Sequence, residues 1–195
     1  MIVSPLDAVD WPVRTERLTI RRATAADVES TWRHRRLSAV NHWITAAPAT
    51  IDAYRTRFLD PTSLAKTLVI EAGGEVVGDL MLAVEDAWAQ AEVVEFGRGT
   101  QAELGWALHP DHSGAGYATE AVRALLRICF DDLGLRRVTA QCFADNAASR
   151  RLMKRVGMRA ESYLVRDALH RSGTWMDTAG YALLAEEHVA ADPHA

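Results

Sequence analysis

The sequence predicts an α/β domain built on a mixed sheet, and three observations carry that expectation. Short stretches with a two-residue apolar period are interleaved with longer stretches of helical period, without regular βα alternation. The composition is that of a globular chain: 195 residues, 49% hydrophobic and 25% charged. A pair of glycines separated by one residue stands where a predicted strand hands over to a long predicted helix.

The elements follow in order. Leu18 and Ile20 alternate with Thr19 and Arg21, a strand pattern. Thr24-Ala25-Ala26-Asp27 starts a helix running to about Arg35, with Thr24 as N-cap and Asp27 placed to reach back. After a broken stretch from Asn41 to Ala49, Thr50-Ile51-Asp52-Ala53 starts a second helix. Leu68 to Ile70, Gly73-Gly74 and Val76-Val77 read as a hairpin whose second strand continues through Leu82. Glu85 to Thr100 is an irregular excursion with a helical turn, and Glu103 to Leu108 is a strand closed by Pro110. Ala118, Ala121, Val122, Leu125, Cys129 and Phe130 share a helical face, with Glu120, Arg123 and Arg127 on the wet side, until Leu133-Gly134. Val138 to Cys142 is a strand, and Ser149 to Val156 a short helix stopped by Gly157. Two strands near Arg159–Asp167 and Thr174–Leu184 complete a count of about seven strands and about four helices. The expected organisation is an N-terminal extension over 1–13, one domain over 14–188, and a disordered tail over 189–195.

Several classes of function are disfavoured. The net charge of -4 is not that of a sequence-independent nucleic-acid binder. No apolar run reaches the length of a membrane span, and Met1 to Trp11 has no basic residue for a signal peptide. Cys129 and Cys142 have no metal-ligand spacing and read as buried free thiols of a cytoplasmic protein. No metal site is expected.

The glycine pair lies in His109-Pro110-Asp111-His112-Ser113-Gly114-Ala115-Gly116-Tyr117-Ala118-Thr119-Glu120. Glycine tolerates positive φ and lacks the Cβ that would block a close approach. The first N–H groups of a helix have no intrahelical partner and lie at the positive end of its dipole, so a phosphate or pyrophosphate fits there, although a tight turn has the same signature. The Walker A pattern is absent. The dinucleotide fingerprint is poor, because Thr119 stands at its third small position and only Asp131 and Asp132 lie near its acidic one.

Glu103-Leu104-Gly105-Trp106, His109-Pro110 and Gly114-Ala115-Gly116-Tyr117-Ala118-Thr119-Glu120-Ala121 resemble the acetyl-CoA loop of the GNAT N-acetyltransferases. Asp145-Asn146-Ala147-Ala148-Ser149 with Gly157-Met158, and Thr15-Glu16-Arg17-Leu18 with Ile20-Arg21, resemble the RimJ/RimL-type branch, which acetylates ribosomal-protein N-termini. The resemblance runs from about Thr15 to Leu184. It implies the acyl-CoA N-acyltransferase fold, an α+β architecture on a mixed, mostly antiparallel sheet.

It also implies a reaction, the transfer of an acetyl group from acetyl-CoA to an amine. The amine acceptor would be a protein N-terminus or a small molecule, and the enzyme a monomer or homodimer. The resemblance assigns the pantetheine arm to Trp106, Ala107 and Leu108. It assigns the pyrophosphate to His112, Ser113, Gly114, Ala115, Gly116, Tyr117, Ala118 and Thr119, mainly through backbone N–H groups of Ser113 to Ala118. One departure is Asp111, where the wider family prefers Gln or Arg. A carboxylate there must turn outward, and His112 is a compensating donor. Asn146 matches a CoA-contacting asparagine that also suits a helix cap. Ser149 matches a serine near the sulfur and is read as proton donor to the thiolate, with a capping role as the alternative. Arg151, Lys154 and Arg155 either meet CoA phosphates or form a solvated face. Glu103 is the first candidate for the base and Asp167 the second, ahead of His109 and His42. Asn41-His42-Trp43, Trp88 and His170 to Trp175 are candidate substrate walls. Two rival readings are a non-catalytic acyl-CoA-binding or sensing domain and, more remotely, a dinucleotide oxidoreductase.

Overall fold

The computed structural model describes residues 4–191, with side chains to 188. The chain forms β1 (Val13–Arg14), β2 (Thr19–Arg22), α1 (Val28–Arg35), α2 (Ser38–Asn41), α3 (Ile51–Phe58), α4 (Pro61–Ala65), β3 (Thr67–Ala72) and β4 (Glu75–Glu85). It continues with β5 (Gln101–Leu108), α5 (Tyr117–Arg127), β6 (Arg137–Phe143), α6 (Ala147–Arg155), β7 (Arg159–Leu169), β8 (Trp175–Leu184) and α7 (Ala185–Ala191). The strands hydrogen-bond in the order β1-β2-β3-β4-β5-β6-β8-β7. Only β5 with β6 is a parallel pairing among the registers resolved.

The expected mixed, mostly antiparallel sheet is present, with eight strands rather than seven because the two-residue β1 pairs with β2. Three short helices, α2, α4 and α7, add to the four expected. The last of these runs from Ala185 to Ala191. Glu187 accepts the Leu184 N–H at 2.8 Å and closes the helix start, and the His188 ring lies 4.9 Å from that of Phe130. Residues 1–3 of the extension and 192–195 of the tail lie outside the described residues.

Two compact units are distinguished. One comprises the chain up to Leu82 together with Gly105–Leu125, and the other Ala83–Leu104 together with the chain from Leu126. In the first, Ala23, Val28, Tyr54, Phe58 and Val69 form an apolar cluster, against which Trp32, Ile51 and Leu64 pack. Of the two helix starts read from sequence, the one at Thr50 opens α3, whereas the one at Thr24 opens a 3-10 turn over Ala25–Asp27 and α1 begins only at Val28. The Asp27 carboxylate accepts from the Thr24 N–H and hydroxyl at 2.7 and 3.0 Å. Thr50 accepts from the Ala53 N–H at 3.2 Å.

A buried polar group ties α1 to β4. The side chains of His34 and Asp79 are 1% and 2% exposed. His34 Nε2 donates to Asp79 Oδ2 at 3.0 Å, and Arg35 Nε donates to the same oxygen at 2.6 Å. The Arg35 Nη2 also pairs with Asp79 Oδ1. Burial pushes the Asp79 carboxyl up, but the Arg35 charge and the two donors outweigh it and hold the group well below the usual carboxylate range.

In the second unit β6 pairs antiparallel with β8, and β8 with β7. Val138, Ala140, Leu152, Met153, Tyr181, Ala182 and Leu183 are buried, whereas β7 is exposed along almost its whole length. The 85–100 excursion is pinned by Ala87 N–H to Gly97 O (2.7 Å) and Gly99 N–H to Asp86 Oδ1 (2.8 Å). Cys129 is buried, as expected, and its thiol is pushed up to about 12. Cys142 is only partly buried, correcting the reading of two core thiols, and burial pushes it to about 11.

Candidate active site

The end of β5 is shaped by β4. The β3–β4 register slips between Ile70 and Glu71, so that Val77 is an extra residue in β4. Its carbonyl accepts the His109 N–H at 2.8 Å, just past the end of β5. A Cβ on the next residue, Gly78, would stand 2.5 Å from the Ala107 carbonyl oxygen, so only glycine admits this approach. Ala107 is buried, and Trp106 and Leu108 are partly exposed. This places the three pantetheine candidates on a fixed strand end.

The chain then makes a 3-10 turn over Pro110–His112, capped by His109, whose Nδ1 lies 3.3 Å from the Asp111 N–H. His109 thus has the turn role open to it, and the Asp111 side chain is 84% exposed, directed outward as expected. His112 is half-buried, its ring 6.3 Å from that of Tyr117. Ser113 to Gly116 are exposed, and Gly114 and Gly116 have φ of 82° and 86°. At Gly114 nothing lies within 4 Å of a notional Cβ, so its positive φ alone demands glycine. At Gly116 a Cβ would also meet Arg17 Nη2 at 3.3 Å. The helical ladder of α5 begins with Glu120 N–H on Gly116 O at 3.0 Å, which leaves the N–H groups of residues 117 and 118 ahead of it. One expectation is corrected. The Ser113 N–H donates to Pro110 O at 2.9 Å, so it is used to close the turn and is not a free anion donor.

Sequence reasoning gave Arg17 no role, yet it braces this loop. Its Nε donates to Glu120 Oε2 and its Nη1 to the Ala115 carbonyl, both at 2.8 Å, and the guanidinium lies over the Tyr117 ring at 4.9 Å. Glu120 also accepts from the Thr15 hydroxyl (2.6 Å) and the Arg17 N–H (2.9 Å). Burial favours protonation of Glu120, but these donors outweigh it and hold the carboxyl below its ordinary value. A carboxylate beside an anion seat is thereby neutralised by its own cation. The signal in sequence was the Thr15-Glu16-Arg17-Leu18 motif, whose partner lies 103 residues away.

Asn146, Ser149, Glu103 and Asp167 lie in the second unit. Asn146 is the N-cap of α6, accepting the Ser149 N–H at 3.1 Å, so the cap is Asn146 and not Ser149. Ser149 is half-buried, and its hydroxyl has no hydrogen bond among the described residues. Glu103 is half-buried on β5, in register with Thr139 of β6. Asp167 lies in an irregular segment of β7, with both carboxylate oxygens 2.9 Å from the Thr178 hydroxyl. Thr178 also accepts from Gln141 Nε2 at 3.1 Å. Arg151, Lys154 and Arg155 are exposed.

Of the proposed walls, Trp88 is 91% exposed, and the His42 and Trp43 rings contact one another edge to face. His170 is buried against Phe143, with Nδ1 2.8 Å from the Ser172 hydroxyl, so it shapes the hairpin. No group of acids, histidines and cysteines able to hold a metal occurs among the described residues, and no helix there is long and apolar enough to cross a membrane.

The chain is similar to the uncharacterized N-acetyltransferase YnaD of Bacillus subtilis (strain 168), with 38% identity over 85 residues, 44% of this chain and 49% of that protein. It thus spans about half the length of that curated relative, and also of YoaA from the same organism. Its fold matches a crystal structure of a GNAT-family acetyltransferase from Bacillus anthracis, with a TM-score of 0.75 and 28% identity, covering 90% of this chain and 99% of the other. It also matches Mycobacterium smegmatis RimJ in complex with CoA-disulfide, with a TM-score of 0.70 and 24% identity over 89% of this chain and 88% of that one, a likeness of fold. The model of the acetyltransferase (GNAT) domain matches residues 17–159, from the loop-bracing Arg17 through the glycine turn to the start of β7, and the chain belongs to that family.

Proposed function

We propose that this acetyltransferase-family protein moves an acetyl group from acetyl-CoA to a primary amine, on a protein N-terminus or a small molecule, by direct attack of the amine on the thioester. The observation that carries the reading is the exposed loop from Ser113 to Gly116. Its two positive-φ glycines open the 11-residue helix α5, directly after a strand end fixed by the Val77 bulge. That cradle fits a pyrophosphate, with the N–H groups of Gly114 to Ala118 as donors and the helix dipole behind them. The motifs around Asn146 and Thr15, with the likeness to RimJ, support the RimJ/RimL-type branch.

Acetyl-CoA supplies an activated acyl group on a thiol leaving group. Trp106 to Leu108 hold the pantetheine arm by backbone pairing, and His112 to Thr119 hold the phosphates. Asn146 fixes the start of α6 and contacts the cofactor. Ser149 presents its uncommitted hydroxyl as proton donor to the departing sulfur. Glu103 takes the proton of the amine, directly or through water, with Asp167 as second candidate. The free Ser149 hydroxyl favours catalysis over a sensing role.

The direct test is thiol release from acetyl-CoA with a panel of N-terminal peptides, polyamines, amino acids and aminoglycosides. Turnover with at least one class is expected, and acetyl-CoA binding without turnover on any of them would favour a sensing domain. Gly116→Val should weaken acetyl-CoA binding at least about tenfold by calorimetry, because a β-branched residue is strained at φ of 86° and its Cβ crowds Arg17. Unchanged affinity would move the cofactor off this loop. Glu103→Gln removes basicity while keeping shape. It should depress turnover near pH 7 and recover partly at high pH, where the free amine is abundant. A parent-like pH–rate profile would leave Glu103 a structural role.

A further inference from the structure

Resting on that reading, we infer that the irregular segment of β7 and the opening of β8 form an acceptor subsite for an amine that also carries an anionic group, held by Arg166, on an apolar body laid against Trp175. Between Leu164↔Thr178 and Ala168↔Met176, four steps along β7 face two along β8. The two surplus residues of β7 are expelled from the ladder there. Arg166 sits within this segment at φ 50°, the sole non-glycine residue with positive φ among the described residues. Asp177 imposes that conformation. Its Oδ1 accepts the Arg166 N–H at 2.8 Å, and its Oδ2 accepts the Tyr163 hydroxyl at 2.5 Å. Backbone strain held this firmly marks a side chain whose placement matters.

The side chain is placed at a cleft of about 540 Å³ lined by Arg166, Thr174 and Trp175. It is an open surface depression with one apolar wall, one hydroxyl and one cation. The Arg166 guanidinium makes no ion pair within 4 Å among the described residues, and the two neighbouring carboxylates each have a hydrogen-bond partner. Asp177 is held by Tyr163 and the Arg166 backbone and also feels the Arg166 charge without pairing with it, and Asp167 lies on the Thr178 hydroxyl. Trp175 is 57% exposed, a large ring turned to solvent at the cleft.

The same segment adjoins the helix start that carries the proposed proton donor. The Asp177 carbonyl accepts the Ala144 N–H at 2.8 Å, and Phe143 is in register with Thr178. Two hydrogen bonds therefore link Arg166 to Ala144, which lies just ahead of the Asn146 cap and Ser149. An anion on Arg166 and a ring on Trp175 thus bring an acceptor to that end of β6. A guanidinium suits a carboxylate through paired charge-assisted hydrogen bonds, and it repels a polyamine.

The test uses product analogues, so that it does not depend on turnover. N-acetyl-L-phenylalanine, N-acetyl-L-leucine and their C-terminal amides are titrated into the full chain, followed by NMR or calorimetry. The acids should bind at least about tenfold more tightly than their amides. Arg166→Gln should abolish that preference, Arg166→Lys should restore part of it, and Trp175→Ala should weaken acid and amide alike. In turnover, Arg166→Gln should raise the KM for L-phenylalanine about tenfold and leave that for L-phenylalaninamide unchanged. Equal affinities for acid and amide, or an acid preference that survives Arg166→Gln, would overturn the subsite. Acetyl-CoA titrated separately reports on the acetyl-transfer reading itself. If acetyl-CoA fails to bind, that reading falls, while the acid–amide comparison still decides what Arg166 holds.

Discussion

Replacing Asp79 by alanine is expected to cost roughly 3 kcal/mol of folding stability, within the range of about 3–5 kcal/mol for breaking a buried charged pair. The loss has two parts. His34, 1% exposed, would keep an Nε2 donor with no acceptor, and a stranded buried donor costs about 1–3 kcal/mol. Arg35 would lose both its contacts to the carboxylate, but its side chain is 26% exposed and can turn toward water, which puts the total at the lower end. For a chain of this size each kcal/mol moves the midpoint by about 2–4 °C, so Tm should fall by roughly 6–12 °C.

The pH dependence has a definite sign. The folded carboxyl is held below its ordinary value, so its contribution is fully present above about pH 4, the range of a free carboxylate, and is lost as the pH falls through the lower folded value. The stability gap between parent and Asp79→Ala should therefore be constant near neutrality and narrow in acid. Thermal melts from pH 7 downward measure it. A gap under about 1 kcal/mol at pH 7, or one that widens in acid, would show that the Asp79 carboxylate does not anchor α1 to β4.

This anchor marks the boundary of what the sequence discloses. Signals confined to a few neighbouring residues were legible. Gly73-Gly74, at φ of 58° and 84°, turns the β3–β4 hairpin, the Asp27 carboxylate accepts from the Thr24 N–H and hydroxyl in the turn ahead of α1, and Thr50 opens α3 by accepting the Ala53 N–H. The Gly-x-Gly turn before α5 was legible for the same reason. The helix α4 has an equally local signal, Asp60 capping the Ser63 N–H with Pro61 at the first helical position.

Features that depend on distant partners were not readable. Arg35 and Asp79 are 44 residues apart, and Arg17 and Glu120 are 103 apart, with nothing nearby to pair them. The Val77 bulge follows from a register slip that a plain apolar run does not show, and it is what makes Gly78 necessary. Arg166 reads in sequence as an ordinary strand residue. Only the pairing of β7 with β8 shows that it is expelled from the ladder. The glycine turn was legible as a local motif, but its bracing by Arg17 and Glu120 was not.

Ser149→Ala should lower turnover by about 100-fold while changing the KM for acetyl-CoA by less than about threefold. A group that protonates the leaving thiolate acts in the transition state, and loss of general acid help is typically worth about 100-fold or more. The geometry makes this a clean substitution. What Ser149 contributes to the fold is its backbone N–H, donated to Asn146 Oδ1 at 3.1 Å, and alanine keeps that bond. Its hydroxyl has no partner among the described residues, and alanine is the better helix former in the first turn of α6, so the melting temperature should hold or rise slightly. Asn146→Ala is the contrasting variant. It removes the cap, costs about 1 kcal/mol, and should disturb cofactor affinity and stability together. A Ser149→Ala protein that melts like the parent but turns over about 100-fold more slowly assigns the hydroxyl to chemistry. A loss of less than threefold would assign thiolate protonation to solvent or another group and leave Ser149 as a residue of the first turn of α6.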